Sequence, residues 1–155
     1  MRHRHIGQAY TRMEYIKRHP EGKEKSMKWT YGNQNTQFKY QLLLKSTNEH
    51  YLSVNSLDAV RISMNYILSR FGQENYYIRI HPYPHIFLRE HGLLGVAKAE
   101  RMAKGMKQSF GKPSSRVALV HPNQVIITLR VNEQLLKSGQ HALDVASKKL
   151  GCDSK

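Results

Sequence analysis

Residues 37–82, QFKYQLLLKSTNEHYLSVNSLDAVRISMNYILSRFGQENYYIRIHP, carry two strand patterns, a helix pattern and a third strand pattern in succession. Gln37–Lys45 reads as a strand and Glu49–Val54 as a second. Ser46-Thr47-Asn48 between them has hairpin-turn composition. A helix follows, with Asn55 as its expected N-cap and Asp58 facing its positive end. Leu57, Val60, Met64, Ile67, Leu68 and Phe71 recur at helical spacing and make one apolar stripe. Gly72 is the expected stop. Tyr76–Pro82 then alternates. Tyr76, Ile78 and Ile80 point to one face, and Tyr77, Arg79 and His81 to the other, so one face is expected to be buried and the other aromatic and cationic. Pro82 and Pro84 end regular pairing.

On the C-terminal side, residues 92–115 form a long Gly- and Lys-rich connection, with a short helix expected around Glu100–Gln108. Arg116–Val120 and Gln124–Val131 read as a hairpin around His121-Pro122-Asn123. A last helix is expected over Glu133–Leu150, capped by Asn132. Leu136, Ala142, Leu143, Ala146 and Leu150 supply its apolar side, and Gly139 is its weak point. On the N-terminal side, residues 1–36 show little apolar periodicity and read as an irregular basic arm. Five or six largely antiparallel strands and two main helices argue for an α+β fold. The expected organisation is an arm at 1–36, one α+β domain at 37–150 and a frayed end at 151–155.

The chain has 155 residues, with Lys+Arg 25 against Asp+Glu 11 and a net charge of +14. The excess is clustered. Residues 1–39 carry a net +6, residues 40–78 zero, residues 79–116 again +6 and residues 117–155 +2. A merely solvated surface intersperses both signs, whereas clustered Lys and Arg suit a polyanion. One cysteine, Cys152, leaves no internal disulfide and no Cys-based zinc site. No apolar run reaches the roughly 18 residues of a membrane span. The N-terminus lacks the apolar core of a secretory signal, so an intracellular chain without a membrane partner is expected.

The candidate chemistry is that of binding. His3 and His5, and His81 and His85, do not match metal-ligand spacings, and no carboxylates accompany them, so neither metal nor cofactor is expected. Gly105 through Gly111-Lys112-Pro113 is one residue too long for a phosphate loop and has Pro113 where Ser or Thr would hold magnesium. No nucleophile elbow or acid–base constellation is present, so no catalytic residue is assigned. By contrast, Arg2, Arg4, Arg12, Lys17, Arg18, Lys23, Lys25 and Lys28 are interleaved with Tyr10, Tyr15, Trp29 and Tyr31. Tyr77, Arg79 and His81 continue to Tyr83, His85 and Arg89 with the same mixture. Arginine forks pair with phosphates and aromatic rings stack on unpaired bases.

Several stretches together resemble one family. They are Tyr10-Thr11-Arg12-Met13-Glu14-Tyr15-Ile16, Asn55-Ser56-Leu57-Asp58-Ala59-Val60-Arg61-Ile62, and Ile78 through His85 with Leu88-Arg89-Glu90. Ala99-Glu100-Arg101 with Gly105-Met106-Lys107, and Phe110-Gly111-Lys112-Pro113, complete the set. Over roughly residues 8–150 they are similar to the archaeal–eukaryotic branch of universal large-subunit ribosomal protein sixteen. The resemblance implies a hammerhead-type α+β sandwich, two helices on a largely antiparallel sheet, acting as a non-catalytic part of the cytoplasmic large ribosomal subunit. It implies large-subunit rRNA near the peptidyl-transferase centre and the 5S region as partner, with tRNA and other large-subunit proteins. Arg2, Arg4, Tyr10, Arg12, Lys17, Arg18, Arg79, His81, Tyr83, His85, Arg89, Lys112 and Arg116 are the expected RNA contacts. Lys98, Glu100, Arg101, Lys104 and Lys107 are expected on the tRNA-facing loop. Lys98 stands where the family has glycine, and Lys104 where an aspartate is common, which adds charge to the loop. The family's strand after the last helix has no counterpart before Lys155. A small basic RNA-processing enzyme and a general RNA chaperone are the competing readings.

Overall fold

A computed structural model describes residues 10–17, 29–90 and 111–155. Within them are eight strands and two α-helices: β1 (Tyr10–Arg12), β2 (Thr30–Gly32), β3 (Tyr40–Lys45), β4 (His50–Ser53), α1 (Val54–Leu68), β5 (Tyr76–Ile80), β6 (Ile86–Glu90), β7 (Lys112–Val120), β8 (Val125–Val131) and α2 (Leu136–Leu150). Every strand pair is antiparallel. The strands form two four-stranded sheets, β1-β6-β7-β4 and β2-β5-β8-β3. The α+β class is therefore as expected, with two sheets in place of one.

That division corrects both expected hairpins. The turn compositions at 46–48 and 121–123 do reverse the chain, but they carry it from one sheet to the other: β3 pairs with β8, and β4 with β7. The pairing shifts between Leu44 and Lys45, where β8 carries one extra residue, Ile126, between Val125 and Ile127. The two corners then satisfy each other's backbone. Ser46 N–H donates to the Gln124 carbonyl at 3.0 Å, and Asn123 N–H to the Ser46 carbonyl at 2.8 Å. The tail joins them. Lys45 and Lys155 exchange backbone hydrogen bonds at 2.7 and 2.9 Å, Ser154 bridges to Ser46, and Cys152 is buried. The end at 151–155 is expected to fray, whereas Asp153, Ser154 and Lys155 pair with residues 45–47, which satisfies backbone groups at the corner.

The supposed arm also contributes structure. Its described parts include β1, which pairs with β6, and β2, which pairs with β5, each at a sheet edge. Three-residue strands are too short to show alternation in a sequence. Lys112–Ser115, expected in the long connection, belong to β7. The short helix expected around Glu100–Gln108 lies outside the described residues.

The N-cap of α1 is Ser53 and not Asn55. Its hydroxyl accepts from Ser56 N–H at 3.1 Å. β4 runs straight into the helix, so the last extended residue is the cap and Val54 is already helical and buried. Asp58 pairs with Arg61 at 2.7 Å instead of facing the helix end. We expect Ser53→Ala to cost about 0.5–2 kcal/mol in a denaturant titration. Asn55→Ala should change stability by no more than about 0.5 kcal/mol. Leu57, Val60, Met64 and Leu68 are fully buried, whereas Phe71 is 44% exposed. Phe71 falls in a 3-10 turn, Ser69–Phe71, whose tighter winding rotates it off the stripe. Gly72, at φ +87°, ends that turn.

α1 and α2 pack on each other and share one core with the second sheet, built on Tyr76, Ile78, Ile127, Leu129 and Val131. The first sheet has a smaller cluster of Ile86, Leu88 and Val117. Glu133–Leu135 is a 3-10 turn leading into α2, with Asn132 at its cap position but making no side-chain cap. Gly139 is not a weak point but a place of close approach. A Cβ there would lie 3.1 Å from Leu129 Cδ2, so the glycine lets α2 sit down on β8.

Candidate nucleic-acid interface

The residues of interest gather where the chain passes from β5 to β6, that is, from one sheet to the other. β5 alternates as expected, with Tyr76, Ile78 and Ile80 in the core. On the other face, cross-strand partners place Thr30, Arg79 and Thr128 in one row and Tyr77 and Arg130 in the next. Arg79 is exposed. Tyr77 was expected on an open face, yet it is 4% exposed, and the Arg130 guanidinium lies 5.6 Å from its ring centroid. Arg130 was missed as a site residue. The alternation of Val125–Val131, which sets Arg130 on the face away from the core, carried the signal.

The passage His81–His85 is held at both ends. His81 N–H donates to the Ile126 carbonyl at 2.9 Å, and the His85 carbonyl accepts from Met13 N–H at 3.0 Å. Pro82 and Pro84 are buried, whereas His81, Tyr83 and His85 are exposed. Tyr83 stands between two open grooves. One, of about 670 Å³, is lined by Arg12, Met13, Glu14, Tyr83 and His85. The other, of about 350 Å³, is lined by Trp29, Thr30, Gln34, Tyr77, Arg79, Ile80, His81 and Tyr83. The structure therefore brings Arg12, Arg79, His81, Tyr83 and His85 to one continuous surface. Trp29, one of the interleaved aromatics of the sequence, belongs to it too, as does Gln34, which the sequence did not single out.

Other expected contacts lie elsewhere. Tyr10 and Lys17 are exposed, and Lys112 is exposed at the start of β7. Arg89 is half-buried and braces the first sheet, with Nε donating to Thr11 Oγ1 at 2.6 Å and Nη1 to the Gly111 carbonyl at 2.8 Å. Arg116 is 9% exposed, because it sits on β7 opposite Phe87 in the interior of its sheet. Tyr31 packs against the core and accepts from Arg61 at 2.6 Å. Arg2, Arg4, Arg18, Lys98, Glu100, Arg101, Lys104 and Lys107 lie outside the described residues.

His81 shows how the surface tunes one of its own groups. Its Nε2 lies 2.8 Å from Thr128 Oγ1. Partial burial of the ring, and then the neighbouring Arg79 charge, hold its pKa below the ordinary value of 6.5. The shift favours the neutral ring in the folded chain, so the stability it contributes is present above that ordinary value and is lost as pH falls through the depressed one. Melting temperatures measured from about pH 7 down to about pH 5 should fall less steeply in His81→Gln than in the parent chain. Identical slopes would contradict the assignment. Among the described residues, no group of three or more His, Cys, Asp or Glu is placed to hold a metal, and no helix is long and apolar enough to cross a membrane.

Comparison with known proteins gives the family. The family described as ribosomal protein L16p/L10e matches residues 7–155. The large ribosomal subunit protein uL16 of Hyperthermus butylicus is 34% identical over 150 residues, covering 96% of this chain and 82% of the relative. The uL16 of Picrophilus torridus is 36% identical over 145 residues, covering 93% and 81%. That of Saccharolobus islandicus is 37% identical over 152 residues, covering 96% and 84%. With the matched region spanning both sheets, both helices and the passage from β5 to β6, the chain belongs to the ribosomal protein L16p/L10e family.

Proposed function

We propose that this chain is a structural, non-catalytic constituent of the large ribosomal subunit that binds rRNA through the surface around Tyr83. The observation that carries the reading is that surface itself. It sets exposed guanidinium groups of Arg12 and Arg79 beside exposed Tyr83 and His85, across the junction of two sheets. Guanidinium forks suit phosphates and open aromatic rings suit unpaired bases. The net charge of +14 supplies the long-range attraction that draws a protein to RNA. The relatives named above are themselves large-subunit proteins. On this reading the chain works in the cytoplasm on that subunit, against rRNA near the peptidyl-transferase centre and the 5S region, among other large-subunit proteins.

The segment between β6 and β7 is the part that faces tRNA. Its support is chemical: Lys98, Arg101, Lys104 and Lys107 bring four cations among small residues, against Glu100 alone between positions 95 and 107. Small residues let one backbone approach another closely. Replacing Lys98, Arg101 and Lys104 together by Ala should impair tRNA binding by reconstituted subunits, by about tenfold or more. It should leave the melting temperature of the free chain unchanged. A variant that melts lower and binds tRNA normally would make the segment a structural element and end this assignment.

A further inference from the structure

We infer that the groove between Trp29, Tyr83 and β5 receives a single unpaired RNA nucleotide. The inference rests on the RNA-binding reading and deepens it, from a charged surface to a receptor with defined contents. At about 350 Å³ the groove is at the small end of the ~300–1,000 Å³ typical of ligand pockets, with room for one nucleotide and not for a helix.

Its walls carry three kinds of chemistry. Trp29 and Tyr83 give aromatic surface; their ring centroids are 5.7 Å apart and the planes tilt by 51°. Each ring braces the other, and Tyr83 still exposes 55% of its surface. Gln34 and Thr30 give an amide and a hydroxyl, which can both donate and accept. Arg79, exposed on β5, gives a fixed positive charge. A nucleotide has the complement of each: a flat π face, a polar edge and a phosphate. Other small-ligand classes fit less well. A cationic ligand would meet Arg79 and a chain of charge +14. A purely apolar ligand would desolvate Gln34, Thr30 and Arg79 without pairing them.

The walls are set before any ligand arrives. The Trp29 carbonyl accepts from Ile80 N–H at 2.9 Å, which ties Trp29 to β5, and Thr30 is the cross-strand partner of Arg79. Asn33 N–H donates to the Tyr76 carbonyl at 3.0 Å, which fixes the chain one residue before Gln34. Buried Pro82 and Pro84 flank Tyr83. Little ordering remains to be done on binding, and that favours affinity.

Trp29 is the only tryptophan, so its emission reports on the groove directly. The full chain would be titrated with three RNAs: a duplex bearing one bulged adenosine, the same duplex with an abasic residue at the bulge, and the fully paired duplex. The bulged adenosine should quench Trp29 saturably and bind about tenfold tighter than the abasic form, in line with base–aromatic stacking energies. The other two should bind without that quenching. Tyr83→Ala should remove the tenfold preference and Tyr83→Phe should keep it, with melting curves confirming that both are folded. Equal quenching by all three RNAs, binding without quenching, or a preference that survives Tyr83→Ala would each overturn the pocket while leaving RNA binding intact. Failure of every RNA to bind at low salt would overturn the underlying reading as well.

Discussion

Gly32→Val should lower the stability of this chain by about 3 kcal/mol, close to the largest effect of any single surface-strand substitution. Gly32 has φ +84°, a region that a β-branched residue adopts only at a high cost. The steric problem is worse than the torsional one. A Cβ on Gly32 would lie 1.9 Å from the Tyr76 carbonyl oxygen and 2.8 Å from its carbon. Both are backbone atoms of the strand that β2 pairs with, so neither can swing aside. The relief available is for β2 to leave β5. For a domain of this size the shift corresponds to a fall in melting temperature of about 6–12 °C, readable by circular dichroism. Because β2 carries Thr30 and follows Trp29, tryptophan emission should shift to the red at the same time. Gly72→Ala is the control. Its φ is similar, but the nearest atom to a Cβ is Asn75 Nδ2 at 3.5 Å, so only the torsional cost of about 1 kcal/mol applies. Equal effects at the two glycines would refute the collision.

The second large effect is on RNA affinity. Arg12→Ala, Arg79→Ala and Lys112→Ala combined should weaken rRNA binding by about a hundredfold near physiological salt. The slope of log K against log salt should become shallower by about 2 to 3. All three cations are exposed. The pairing of Arg12 with Glu14, at 3.6 Å with both side chains more than half exposed, is too weak to compete with a phosphate. Arg61→Ala makes the contrast. Its guanidinium is engaged with Tyr31 at 2.6 Å and Asp58 at 2.7 Å, so its removal should cost stability and leave the salt slope alone. If Arg61→Ala flattened the slope as much as the triple variant, the binding surface would lie on α1 and not around Tyr83.

These two cases mark what the sequence could and could not convey. Periodicity located α1, β5 and the buried face of α2, because each follows one repeat for long enough to be seen. It could not tell that the turns at 46–48 and 121–123 join different sheets. Turn residues encode a reversal, and which strand the chain rejoins is decided by pairing with distant strands, β8 for β3 and β7 for β4. β1 and β2 were illegible for another reason: three residues held by pairing to a longer neighbour need no pattern of their own. At the site, charge and aromatic content picked out Arg12, Arg79, His81, Tyr83 and His85, which the fold does gather. Arg116 looked the same in sequence and is buried. Arg89 looked the same and spends its donors on Thr11 and Gly111. Composition reports that a cation is present, whereas only the register reports which way it faces.

Sedimentation of cell lysate through a sucrose gradient, under conditions that separate the ribosomal subunits and probed for this chain, shows whether it is a large-subunit protein. The chain should run with the large subunit, stay there through a moderate salt wash, and leave when Arg12, Arg79 and Lys112 are all replaced by Ala. A chain found at the top of the gradient, or spread over many RNA-containing fractions as a general RNA chaperone would be, contradicts that reading.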